Sequence, residues 1–499
     1  MTLIDNLYLG FVTALSLQNL AYAFAGCALG TLIGVLPGLG PIATIAMLLP
    51  TMYALPATSA LIMLAGIYYG AQYGGSTTAI LINVPGEASS VVTALDGYQM
   101  ARKGRAGAAL SASALGSFLG GTAGTLVVAA FAPALTAMAF EFGAPEYCAL
   151  MFLGLVGAVV LATGSLVKAL AMVVFGLLLG QINTDVITAE PRFSFGIPEM
   201  MDGFSFIVIA MGVFSFGEII ANLGRPQHER EVFVKKVTGL WPTWQDFRVG
   251  APAAARGTVL GCILGVLPGA GPMLASFTSY ALEKRIAKNP EEFGHGALQG
   301  VAAPESANNA GAQTSFIPML TLGIPTSAVM ALMIGAMTLM GIQPGPTVMT
   351  SNPSLFWGLI ASMWVGNVML VILNLPMIGI WVKLLTVPYR FLFPAIMAFC
   401  AIGVYTLANN TFDVYCAAGF AVLGYLFNKF GFEPAPMILG FILGPMMEEN
   451  LRRALLMAKG DWTVFVTRPI SGGLLLVSAL LILAIAIPAV AKGREQLKD

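Results

Sequence analysis

Residues 257–346 read GTVLGCILGVLPGAGPMLASFTSYALEKRIAKNPEEFGHGALQGVAAPESANNAGAQTSFIPMLTLGIPTSAVMALMIGAMTLMGIQPGP. Apolar runs long enough to enter a bilayer are cut repeatedly by Gly, Pro, Asn, Ser and Thr. Broken backbone at membrane depth survives only where protein or a water-filled cavity satisfies the freed N–H and C=O groups. The stretch therefore points to an internal site. Residues 34–41, GVLPGLGP, say nearly the same thing close to the N-terminus.

Working outward, the composition sets the class. The 499 residues are 57% hydrophobic and only 10% charged, with a mean hydropathy of +0.84. Soluble domains carry roughly 25% charged residues. The apolar runs are continuous and approach the ~20 residues of a spanning helix. They lack the two-residue alternation of barrel strands. The expected fold is all-α, a polytopic membrane protein in contact with lipid. Lys+Arg and Asp+Glu balance at 24 each, which predicts no nucleic-acid partner. Cys27, Cys148, Cys262, Cys400 and Cys416 stand singly among apolar neighbours and read as small buried hydrophobes. The opening MTLIDNLYLGF lacks the basic segment of a cleaved signal peptide.

Five segments follow from the pattern. Residues 1–17 form an N-terminal interfacial segment. Residues 18–224 form a first transmembrane repeat, with spans near 18–36, 42–54, 61–86, 107–137, 146–163, 165–182 and 203–223. The third of these is interrupted at Gly70 and Gly74-Gly75. Residues 225–250 are a basic cytoplasmic linker. Residues 251–469 form the second repeat, with later spans near 354–382, 391–408, 413–428 and 433–447. Residues 470–499 are a final helix and basic tail.

The duplication rests on ordered matches. GVLPGxGP recurs at an offset of 265 − 34 = 231. Gly70-Ala71-Gln72 recurs as Gly311-Ala312-Gln313, and Val84-Pro85 as Ile324-Pro325, at offsets of 241 and 240. Charge then bears on orientation, because Lys and Arg prefer the cytoplasm. The basic loop follows the GAQ piece in the first half (Arg102, Lys103, Arg105) but precedes it in the second (Lys284, Arg285, Lys288). That swap is what inverted repeats give, with broken or re-entrant helices meeting at a midplane site. Arg452 and Arg453 fall on the outer side in this arrangement, against the rule.

The candidate site residues come from the breaks. After each Gly-Pro corner a new helix N-terminus exposes unpaired N–H groups that favour anions. Gly38, Leu39 and Gly40, with Gly269, Ala270 and Gly271, are the expected carboxylate-binding backbone; a tight interhelical corner is the plainer reading. Gly74, Gly75, Ser76, Thr77, Thr78 and Asn83 add polar groups beside the first break. Asn308, Asn309, Thr314, Ser315 and Thr326 answer from the second half. Any one Ser or Thr serves as well by bonding back to its own helix. Glu305, with Thr321 and Gly323, is the expected ion-coupling set, because an ionisable group at bilayer depth is functional by default. Glu305 reads as a protonated coupling group, a Na⁺ ligand or a capping carboxylate at the water boundary. Glu218, Glu448 and Glu449 read as interfacial, and His228 and His295 as loop residues. No catalytic or metal-binding set is expected. There is no GxxxxGK[ST] loop, no HExxH and no His in an expected span. A channel, or an intramembrane enzyme acting on a lipid-linked substrate, are the competing classes.

The blocks GTLIGVLPGLGP (30–41), YYGAQYGGSTTAILINVPGEASSVVTALDGYQMARKGRAG (68–107), GVLPGAGPMLASFTSYALEK (265–284), GVAAPESANNAGAQTSFIPMLTLGIPTSAVMALMIGAM (300–337) and GPMMEENLRRAL (444–455) resemble the large membrane subunit of tripartite tricarboxylate transporters, the TctA family. The resemblance runs from about residue 10 to 490. It implies a bacterial inner-membrane secondary transporter and no enzyme. It also implies partners, a small membrane subunit and a periplasmic solute-binding protein that delivers a carboxylate such as citrate. No cofactor is implied beyond a coupling ion, Na⁺ or H⁺.

Overall fold

The computed structural model describes residues 2–36, 40–52, 54–162, 165–185, 188, 190–217, 220, 237, 239–267, 271–384, 394, 397–398, 401–402, 404–405 and 410–486. The helices of the first half are α1 (Leu3–Ala14), α2 (Leu17–Val35), α3 (Pro41–Met52), α4 (Ala57–Ile82), α5 (Val91–Arg102), α6 (Ala106–Ala139), α7 (Ala144–Leu161), α8 (Leu166–Gly180) and α9 (Phe206–Ala210), which continues as a π-turn over Met211–Phe216. Those of the second half are α10 (Trp244–Leu264), α11 (Gly271–Ile286), α12 (Gln299–Thr314), α13 (Phe316–Leu322), α14 (Ala328–Leu339), α15 (Pro353–Asn374), α16 (Ile378–Leu384), α17 (Thr411–Lys429), α18 (Ala435–Met457) and α19 (Pro469–Ala486). Among the described residues the only strands are a two-residue antiparallel pair, Asn183–Thr184 with Pro191–Arg192. The protein is an all-α, polytopic membrane protein. Three described helices, α2, α6 and α15, are long and apolar enough to cross a membrane by length and composition.

Helix α4 is the central post. Every residue from Ser59 to Ile82 on it is buried, so its polar content faces protein rather than lipid. Glycines set how closely it packs. A Cβ added at Gly26, Gly30 or Gly34 of α2 would stand 2.3–2.4 Å from the carbonyl oxygens of Met63, Ile67 and Ala71 on α4. The same contact recurs between α10 and α12. Cβ atoms at Gly257, Gly261 and Gly265 would stand 2.2–2.3 Å from the carbonyl oxygens of Ala303, Ala307 and Gly311. Without a hydrophobic drive between helices in lipid, such backbone-to-backbone approach is what holds a pair together. Each post also meets the long helix of the other half: α4 packs on α15, and α12 packs on α6.

Several expectations need correction. Gly70 and Gly74 do not interrupt α4, which is continuous over 26 residues. They face α2, where a Cβ would meet Cys27 O at 2.6 Å and Thr31 O at 2.3 Å. The expected span at 354–382 ends at Asn374, and a turn separates it from α16. The expected span at 433–447 continues to Met457. Its charges are paired there: Glu448 with Arg192 (2.9 Å) and Arg452 (2.6 Å), and Glu449 with Arg453 (2.5 Å). Helix α10 begins at Trp244, inside the stretch assigned to the linker. Cys27 and Cys148 are buried, but Cys262 and Cys416 are half-exposed. Cys400, Glu218, His228 and most of the 391–408 span lie outside the described residues.

Gly261→Leu tests the close packing. Overpacking typically costs about 1–3 kcal/mol, and here the neighbour is backbone that cannot rotate away. The purified variant should unfold at a lower temperature than the parent, while Gly473→Leu, whose Cβ meets nothing within 4 Å, should not. Equal midpoints for the two variants would show that the contact does not limit stability.

Candidate functional site

Glu305 sits near the middle of α12 at 1% exposure. A carboxylate in such a place needs donors, and four hydroxyls supply them. Ser76 on α4 donates to its Oε1 at 2.7 Å, joined there by Thr93 of α5. Ser113 and Ser117, one turn apart on α6, donate to Oε2 at 3.0 and 3.1 Å. All four hydroxyls belong to the first half of the chain, and the carboxyl belongs to the second. No Lys, Arg or His among the described residues forms an ion pair with it. The water-boundary reading of Glu305 is therefore set aside by its burial.

A second polar link lies alongside. Asn308, also on α12, donates to Glu87 Oε1 at 2.9 Å and accepts from Gln72 of α4 at 3.4 Å. Asn309 donates to Ser117 Oγ at 2.8 Å and to the Glu305 carbonyl at 3.0 Å. Amide and hydroxyl groups thus tie α12 to the first half along successive turns.

The other expected residues divide into closures and bystanders. Thr78 donates to carbonyls around the end of α2, Gly34 and Val35, both at 3.2 Å. Ser315 lies 3.1 Å from the Gly265 carbonyl and 2.7 Å from that of Gly311. These two hydroxyls serve the helix ends at the breaks. Thr77, Thr314 and Thr321 bond back to carbonyls of their own helices. Gly74 packs on α2, and Gly75 leaves room for Glu87, whose Cγ would lie 3.2 Å from an added Cβ. Asn83 ends α4 in the left-handed conformation at φ 58° with its side chain exposed, so it does not join the buried cluster. Gly323 ends α13 in the same conformation at φ 71°. Thr326 is buried with its hydroxyl unpartnered among the described residues. Gly40 accepts from Thr44 at the start of α3, and Gly271 opens α11 against Gly265. Gly38, Leu39, Gly269 and Ala270 lie outside the described residues.

Sequence reasoning missed Thr93, Ser113, Ser117, Gln72 and Glu87. Ser113 and Ser117 carried a signal, an i,i+4 pair of hydroxyls in an otherwise apolar helix. It also missed Asp96, fully buried on α5. Asp96 Oδ1 accepts the backbone N–H groups of Gly294, Gly296 and Ala297 at 2.7–2.9 Å, and its Oδ2 accepts from Tyr280 at 2.9 Å. This carboxylate holds the loop that leads into α12, and so fixes the height at which Glu305 enters the bundle. A separate cleft of about 590 Å³ is lined by Arg105, Trp241, Asp246 and Gln299, and Glu305 takes no part in it.

The sequence model of the tripartite tricarboxylate transporter TctA family matches residues 20–439. The chain belongs to that family. A relative in Agrobacterium vitis, described as an uncharacterized 52.8 kDa protein in the TAR-I ttuC′ 3′ region, is 58% identical over 496 residues, 99% of each chain. A second, described as an uncharacterized protein in the TAR-II ttuC′ 3′ region of the same organism, is 60% identical over 236 residues, 47% of this chain and 98% of its own length. No solved structure matches. Membership makes the protein a subunit of a tripartite transporter in a membrane.

Asp96→Ala removes the shared acceptor of three backbone N–H groups, one of them, that of Ala297, buried. A buried donor left without its partner costs about 1–3 kcal/mol. The variant should show a lower unfolding temperature and faster protease nicking between residues 287 and 298. Unchanged midpoint and cleavage would remove Asp96 from the role of holding that loop.

Proposed function

We propose that this chain is the large transmembrane subunit of a binding-protein-dependent secondary transporter in the bacterial inner membrane. It imports tricarboxylates of the citrate kind, or related carboxylates, and is driven by a Na⁺ or H⁺ gradient. A periplasmic solute-binding protein delivers the substrate, and a small membrane subunit completes the complex. The two halves are inverted repeats that alternate access to a site between them. Backbone N–H groups at residues 38–40 and 269–271 receive the substrate carboxylates. Glu305 and its hydroxyls take the coupling ion.

One observation carries this reading, the buried Glu305 carboxyl held by Ser76, Thr93, Ser113 and Ser117. An acidic side chain at bilayer depth costs on the order of 2.5–3.5 kcal/mol on insertion scales. A purely structural bundle would do as well with an apolar residue there. The cage consists of hard oxygen atoms, the donor type that suits Na⁺, and the carboxyl can equally hold a proton. Because the cage joins the two halves, filling or emptying it changes the interaction between them. That is the requirement for coupling an ion to an alternating structure.

The test uses the complex reconstituted with its small subunit and binding protein in liposomes, with Na⁺ and H⁺ gradients varied. Glu305→Gln keeps the volume and removes the charge. It should lower gradient-driven carboxylate uptake at least ten-fold while inserting normally, and Asn309→Ala and Ser76→Ala should also reduce uptake sharply. Full uptake by Glu305→Gln would overturn the assignment of the coupling site.

A further inference from the structure

Between α4, α6, α12 and α15 lies a second set of polar side chains, of which Asn309 alone is hydrogen-bonded to the Glu305 cage, through Ser117. Tyr69, Tyr73, Asn309, Gln313 and Asn367 are all buried, at 0–2% exposure. Among the described residues, Asn309 Oδ1, both amide atoms of Gln313, both of Asn367 and the two phenol oxygens have no hydrogen-bond partner. So many orphaned groups in one region are unusual, since buried polar atoms are generally paired with protein or ordered water.

The amides among them form a row, and Tyr69 and Tyr73 stand one turn apart on α4 beside it. Glu305, Asn309 and Gln313 stand at i, i+4 and i+8 on α12, so they share one face with about 6 Å between steps. Helix α6 runs along that face. Its Ser117 accepts from Asn309, and a Cβ at Gly124 would lie 3.0 Å from Gln313 Cβ. A Cβ at Gly121 would lie 2.4 Å from Asn367 Oδ1, so the Asn367 amide rests on α6. Gly121 and Gly124 are neighbours on the α6 surface, roughly 5–6 Å apart, which places the two amides on adjacent steps. The Tyr69 ring closes the side toward α4. Its Cδ2 is 3.8 Å from where a Gly366 Cβ would stand, and its centroid is 6.1 Å from that of Phe316.

The chemistry of the orphaned atoms selects their occupant. A cation would bind the oxygens and leave the amide N–H donors of Gln313 and Asn367 unpaired. A carboxylate would do the reverse. Water donates and accepts, so a file of it satisfies both ends of each amide and the phenols together. We infer that the row Asn309–Gln313–Asn367, flanked by Tyr69 and Tyr73, holds a file of ordered water that runs through the bundle interior to the turn of α12 next to Glu305. This makes the interior on that side of the cage hydrated rather than dry. The inference stands on the orphaned groups alone and does not depend on the transport reading.

Radiolytic hydroxyl labelling of the intact protein tests it, because bound water is activated in place and marks the buried side chains it touches. Rates are normalised to intrinsic residue reactivity. Tyr69 and Tyr73 should label at least five-fold faster than Trp357, which is 1% exposed in the apolar core. Gln313→Leu and Asn367→Leu should each lower the Tyr69 rate several-fold and leave Trp357 unchanged. Tyr69 and Tyr73 labelling no faster than Trp357 in the parent protein would overturn the proposal without any variant having to fold. Since the readout needs neither substrate nor gradient, its failure leaves the uptake experiment untouched.

Discussion

A carboxyl group buried at 1% exposure must be given donors, and Glu305 takes them from three different helices. That single demand ties α4, α5 and α6 to α12. Ser113 and Ser117 fix the rotation of α6, since both must face Glu305 from one side of the helix. Ser76 does the same for α4, and Thr93 for α5. The ties are all between halves of the chain, so the interface between halves is polar at its centre. Asn308 with Glu87, Asn309 with Ser117, and Asp96 with the 294–297 backbone extend that polar seam.

Within each half the binding principle is different. Gly26, Gly30 and Gly34 press α2 onto the carbonyls of α4, and Gly257, Gly261 and Gly265 press α10 onto those of α12. These contacts have no side-chain freedom to absorb a shift, so the pairs behave as stiff units. The seam between them is made of hydroxyls and amides. The charged end around Arg192, Glu448 and Arg452 is a third kind of contact, an ion network on α18 distant in sequence from the central cage.

Much of this was legible in the residues. Composition set the helical membrane class, and the family membership shown by residues 20–439 agrees with the blocks that suggested it. Glu305 stood out because an acidic residue among PESANNAGAQ has no cheap place in lipid. The reading of the α4 glycines failed for an identifiable reason. Gly70 and Gly74 looked like breaks because glycine weakens a lone helix; in the bundle the same residues admit a neighbouring backbone, and α4 stays continuous. Thr77, Thr314 and Thr321, expected at the site, each donate to a carbonyl of their own helix. Asn83, expected at the site, ends α4 in the left-handed conformation with its side chain exposed.

The sequence by itself determined that the chain enters a membrane as helices and that its polar residues gather in two regions, 68–107 and 300–327. Composition and local pattern decide those properties, because water, lipid and the backbone impose the same rules on every segment. Only the tertiary structure decided which polar groups meet. Thr93, Ser113 and Ser117 lie about 190 to 210 residues from Glu305, and no local rule connects a hydroxyl on one helix with a carboxyl that far along the chain. Their convergence depends on how glycine-lined helices seat against each other. That seating is set by the packing of whole elements in three dimensions.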